Sequence, residues 1–160
     1  MYEPAGSRAL AVPKNFAILS AITAVGMVII IFTGVLTTAA GPHSGDANVV
    51  RDGFDATVLS HLHAWPGYIT VALILVLFIW ARREKLRPSR AIASLLIVMI
   101  VQILVGVYQA RSGLPPLAVG VHMVLAALTA AITTITMLRL KCPTEVVTSQ
   151  NDSTRQQSRA

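Results

Sequence analysis

The chain has little charge, little acid and almost no sulfur chemistry. Charged residues make up 12% of its 160 residues, against about 25% in soluble domains. Asp and Glu number only seven, and none falls within an apolar run. A carboxylate pair working as acid and base inside a bilayer is therefore excluded. The single cysteine, Cys142, excludes an internal disulfide. No nucleotide-binding motif is present, and no stretch has the composition of a soluble domain.

What the chain does have is hydrophobic length. Hydrophobic residues make up 54%, and mean hydropathy is +0.68. Four runs are long enough to cross about 30 Å of hydrocarbon as helices: Phe16–Thr38, His63–Ala81, Ala91–Gln109 and Leu117–Leu138. The expected fold class is an all-α membrane protein, a four-transmembrane-helix bundle. The first run, at about 23 residues, is longer than the apolar region of a signal peptide. The expected division is a cytoplasmic N-terminus over 1–15, the bundle over 16–140 and a tail over 141–160. The stretch Thr148–Ala160 is rich in Ser, Gln, Asn and Thr, the composition of a disordered segment.

The net charge of +6 and a pI near 10.3 do not indicate nucleic acid, because the cations are confined to short segments beside the apolar runs. Arg82, Arg83, Lys85, Arg87 and Arg90 lie between the second and third runs. Arg8 and Lys14 precede the first, and Arg139, Lys141, Arg155 and Arg159 follow the fourth. Eleven of the thirteen cations thus fall on one side, leaving Arg51 and Arg111 on the other. The positive-inside rule places both termini in the cytoplasm of a multi-pass protein of the plasma membrane, surrounded by lipid.

All four histidines, His43, His61, His63 and His122, then fall at the outer face. His63 and His122 sit just inside spans that enter from that face. Ionisable residues within a span are costly and usually functional. Two neutral imidazoles facing each other across a bundle match the axial ligation of a haem iron. The bland alternative is a hydrogen bond to a neighbouring helix. Helical spacing puts Gly67, Thr70 and Ile74 on the face of His63, and Ala126, Thr129, Ala130 and Thr133 on that of His122. Such small residues admit either a flat macrocycle or a close neighbouring helix. His61, two residues from His63, points to nearly the opposite side, with Trp65 and Tyr68.

Gln102, Gly106 and Gln109 share one stripe of the third span. A mid-membrane amide needs a partner, so an interhelical hydrogen bond is expected of Gln102. For Gln109 a contact to a haem propionate or a quinone stands equally beside that reading. His43, in the tight turn Gly41-Pro42-His43-Ser44-Gly45-Asp46, is a proton relay, a propionate donor or a solvated loop residue. Arg51 and Arg111 are natural partners for propionate carboxylates, or form surface ion pairs with Asp52 or Asp55.

Taken together and in order, these segments resemble a known family. Thr33-Gly34-Val35-Leu36-Thr37 with the Gly41–Asp46 loop, Leu62-His63-Ala64, and the stretch from Gln102 through Gly113-Leu114-Pro115 to Val121-His122-Met123 resemble haem A synthase over about residues 15 to 140. The resemblance implies oxidation of a methyl group of haem O to the formyl group of haem A, for cytochrome oxidase. It also implies tandem four-helix halves, each with a histidine pair. The chain looks like the C-terminal half, with haem b on His63 and His122. The substrate-side half of the family carries Glu-x-x-His at its second span. Here Ser60 stands three residues before His63 and Val58 three before His61. The chain is thus expected to be a half that pairs with itself or with another half, or a piece of a longer protein. The competing readings are a small bis-histidine cytochrome b that only transfers electrons, and a haem-free helical scaffold.

The orientation is directly testable. In a Ser44→Cys variant with Cys142 replaced, an impermeant thiol reagent applied from outside should label the protein in intact cells. Labelling from the cytoplasmic side alone would invert the topology.

Overall fold

A computed structural model describes residues 8–40 and 55–143. Helix α1 spans Lys14–Ala40, α2 Ala56–Arg83, α3 Ser89–Arg111 and α4 Pro116–Leu138. All four are long and apolar enough to cross a membrane. Val28, Phe32, Ile97, Leu104, Leu117 and Val124 are each at least 62% exposed. In water that would be a large penalty, whereas lipid tails solvate such side chains. The architecture is the all-α four-helix membrane bundle expected from the apolar runs. Its neighbours are α1 with α2, α2 with α3, α3 with α4 and α4 with α1, so α2 and α4 lie diagonally opposite.

Helix ends follow local chemistry more than hydropathy. Helix α2 begins at Ala56, about two turns before the apolar run starts at His63. The cause is Asp55, whose carboxylate accepts from Thr57 N at 2.7 Å and Val58 N at 3.1 Å. These two N–H groups have no partner within the helix, and a capping carboxylate supplies one. The Val58 N–H, then that of Thr57, holds the exposed Asp55 carboxyl below the usual carboxylate range. Helix α3 ends in a Schellman turn. Gly113 (φ +72°) and Leu114 (φ +58°) are left-handed, and Leu114 N donates to the Gln109 carbonyl at 2.8 Å. Pro115 and Pro116 then start α4. Within the spans, Ser20, Thr23, Thr129, Thr133 and Thr136 each donate to the carbonyl four residues back, which gives these hydroxyl protons a partner inside the hydrocarbon.

Two short strands close the basic end. Strand β1 (Arg8–Leu10) pairs antiparallel with β2 (Lys141–Pro143). The first three residues of the expected tail are therefore tied to the segment before α1, a pairing that periodicity over so few residues does not reveal. The rest of that tail, from 144 onward, lies outside the described residues, as do 1–7.

The hydrophobic core also sits toward the basic end. Phe16, Ile74, Leu77, Ala81, Ile92, Leu95 and Leu140 are all buried there, and Phe16 meets Trp80 edge to face at 5.4 Å. Mid-bundle, α1 and α2 cross at Gly26, where an added Cβ would stand 2.7 Å from Thr70 Oγ1. Thr70 is buried and β-branched, so it cannot swing aside.

Gly26→Ala tests that crossing. Overpacking costs about 1–3 kcal/mol, against about 1 kcal/mol gained in helix propensity. The expected outcome is a lower thermal midpoint in detergent, largely restored by adding Thr70→Ala. A midpoint at or above the parent's in the single variant would show that the crossing has slack.

Candidate functional site

The other end of the bundle is built from small residues around two imidazoles. His63 is the eighth residue of α2 and His122 the seventh of α4. At 1.5 Å per residue each lies about 10 Å from its helix start. The diagonal placement of α2 and α4 lets the two rings meet across the bundle axis. Their centroids are 6.1 Å apart and their planes 77° to one another. Both residues are partly buried.

His63 has a built seat on α1. Its Nδ1 lies 3.0 Å from the Ile30 carbonyl and 3.3 Å from Thr33 Oγ1. The carbonyl can only accept, so this contact puts the ring proton on Nδ1 and leaves the Nε2 lone pair free. Gly34 makes the approach possible. A Cβ there would stand 2.9 Å from His63 Cε1. A helical side chain leans toward the N-terminus over the turn below it, so a glycine four residues after Ile30 uncovers that carbonyl. The Thr33 hydroxyl lies 2.9 Å from the Ile29 carbonyl, and Thr37 Oγ1 reaches across to the Leu59 carbonyl at 3.2 Å. Thr33, Gly34 and Thr37 thus hold α1 against α2 and orient the imidazole.

The α3–α4 pair repeats the device in part. Gly106 stands four residues after Gln102, and a Cβ on it would meet His122 Cε1 at 3.2 Å. The Gln102 carbonyl is close enough to act on the His122 ring, yet no hydrogen bond of good geometry forms. His122 Nδ1 is buried without a partner. Gln102 instead donates its Nε2 to the His122 backbone carbonyl at 3.1 Å, the interhelical bond expected of it. Its Oε1 is buried and unpaired, as is Gln109 Oε1.

The remaining candidates divide. Arg111 is exposed in the last turn of α3 at the histidine end. His43 and Arg51 lie outside the described residues. His61 is exposed, with Nδ1 2.8 Å from the Thr57 carbonyl of its own helix. It lines an open apolar groove with Leu62, Trp65, Pro66 and Ile69 on the outward side of α2. Among the described residues no group of three or more His, Cys, Asp or Glu comes together. The Ile30 carbonyl was invisible to residue-type reasoning. Gly34 was the available signal, visible only once α1 and α2 are known to be neighbours.

No curated protein and no solved structure matches the chain. Residues 56–160 match the COX15-CtaA family, described as cytochrome oxidase assembly protein. The matched segment carries α2, α3 and α4, with both facing histidines and the Gln102–Gly106–Gln109 stripe. The chain is a multi-pass, four-helix member of the cytochrome oxidase assembly protein family.

Proposed function

We propose that the chain serves haem A synthesis as a haem b-binding four-helix half, with His63 and His122 as axial ligands. The observation that carries this reading is the pair of imidazoles meeting at 6.1 Å from diagonal helices. Two nitrogen donors about 2 Å from one metal ion need a span of this order. Three local features fit the group. His63 is oriented with Nε2 free. Glycines on α1 and α3 leave room where any side chain would press on an imidazole. The His122 ring has no hydrogen-bond partner at Nδ1 that would hold it in another orientation.

The residues divide the work by position. Ile30 and Thr33 fix the His63 tautomer, as the outer partners of a metal-ligating histidine do. Gln102 ties the α4 backbone to α3 at His122. Arg111, with Arg51, is proposed to hold propionates near the outer surface, and Gln109 and His43 stand as further polar contacts there. The apolar helices exclude water. When bound, haem b supplies one-electron redox capacity. Haem O as substrate and haem A as product are proposed for the assembled protein, in the plasma membrane with both termini cytoplasmic. A second half, from this chain or another, would carry the substrate pair.

A bis-histidine cytochrome b that only transfers electrons is the second reading. It is favoured by one feature: the four helices contain no Asp or Glu, with Ser60 and Val58 where an acid would precede the histidines.

The purified chain reconstituted with haem b should show a low-spin, six-coordinate spectrum. His63→Ala and His122→Ala should each remove or convert it, whereas His61→Ala leaves it. Unchanged spectra in both of the first two variants would refute the ligand pair.

In cells that make haem O, expression of this chain alone should yield little or no haem A on chromatography of the extracted pigment. One histidine pair holds one iron, and no intramembrane acid is present to move a proton. Abundant haem A would show that the chain alone is a complete enzyme.

A further inference from the structure

The two halves of the site are built on one plan but finished differently. On the α1–α2 side, Gly34 uncovers the Ile30 carbonyl and His63 Nδ1 bonds to it at 3.0 Å. On the α3–α4 side, Gly106 stands at the corresponding place relative to Gln102, yet His122 Nδ1 finds no partner. Gln102 secures the backbone of His122 through its side chain, and its carbonyl approaches the His122 ring without forming a hydrogen bond of good geometry. The helix that bears His122 is also the least enclosed: 6% of its span is buried, against 22% for each of the other three.

We infer that the two imidazoles are unequal ligands, His63 the fixed one and His122 the exchangeable one, so that the iron opens to a small neutral donor on the α4 side. This inference rests on the axial-pair reading and deepens it. The physical reason is orientation. A ring held by a hydrogen bond to Nδ1 keeps Nε2 aimed and more basic, and loss of such an outer partner typically weakens metal binding 10–100-fold. A ring without that bond turns about its side-chain torsions and leaves more readily. In the exchange, the neutral imidazole departs with its lone pair and the incoming ligand supplies its own. No electron or proton changes hands.

Carbon monoxide on the dithionite-reduced, haem-loaded full chain is the probe. The parent should take it up slowly, at a rate that stops rising with carbon monoxide concentration because departure of His122 limits it. His122→Ala should keep haem within about tenfold of the parent's affinity, be five-coordinate and bind carbon monoxide in one fast phase. His63→Ala should lose at least about tenfold more haem affinity than His122→Ala. Gly34→Ala and Gly106→Ala supply a milder comparison should either histidine variant fold poorly by circular dichroism. Gly34→Ala is expected to cost more haem affinity, since it unseats the fixed ring. A parent inert to carbon monoxide, or haem loss in the His122 and Gly106 variants equal to or greater than in their counterparts, would overturn the inequality and leave the axial pair standing. A parent with no six-coordinate low-spin spectrum would remove the axial pair itself.

Discussion

A neutral imidazole inside a hydrocarbon slab carries an N–H that is costly to leave unmet. The unmet donor costs several kcal/mol where no water is available. The arrangement around His63 answers that demand. A helix carbonyl has a second lone pair beyond the one its own ladder uses. Reaching it requires that the residue four positions later carry no side chain, which is why Gly34 follows Ile30 at that spacing. The seat then does two further things. It brings α1 and α2 into close contact, reinforced by Thr37 on Leu59, and it leaves the Nε2 lone pair of His63 unprotonated. Helix packing and imidazole orientation are consequences of one hydrogen bond.

The distribution of packing along the bundle complements this. The basic end is closed by Phe16 against Trp80, by Leu140 and by the β1–β2 ladder. It holds most of the buried large apolar side chains. The histidine end has glycines where the other end has large side chains, so the helices are held together at one end and shaped at the other. A bundle packed along its whole length with Leu and Ile would leave no room for two facing imidazoles. One loose along its whole length would not hold two rings at 6.1 Å. The Schellman turn at Gly113–Leu114 and the Asp55 cap set where α3 ends and α2 begins.

The match to the cytochrome oxidase assembly protein family covers residues 56–160. The matched residues include both rings and the α3 stripe. The α1 seat at Ile30, Thr33 and Gly34 lies before the match. The portion of the site outside the matched segment is thus the one that orients His63 most tightly.

Four spans and the matched depth of His63 and His122 were legible in the sequence, because lipid rewards an unbroken apolar length and penalises each polar interruption. Gln102 was legible as an amide in need of an interhelical partner for the same reason. Helix ends were less so: α2 starts two turns before its apolar run because Asp55 caps it, and capping depends on a local hydrogen bond, not on hydropathy. The β1–β2 ladder was not legible, since three-residue strands carry no periodic signal and pair across the whole chain. Gly34 beneath His63 and Gly26 against Thr70 are contacts between residues 29 and 44 positions apart. Which helices are neighbours, and at what rotation, is set by the sum of many small packing contacts. For that reason the difference between a seated His63 and an unpartnered His122 belongs to the tertiary structure alone.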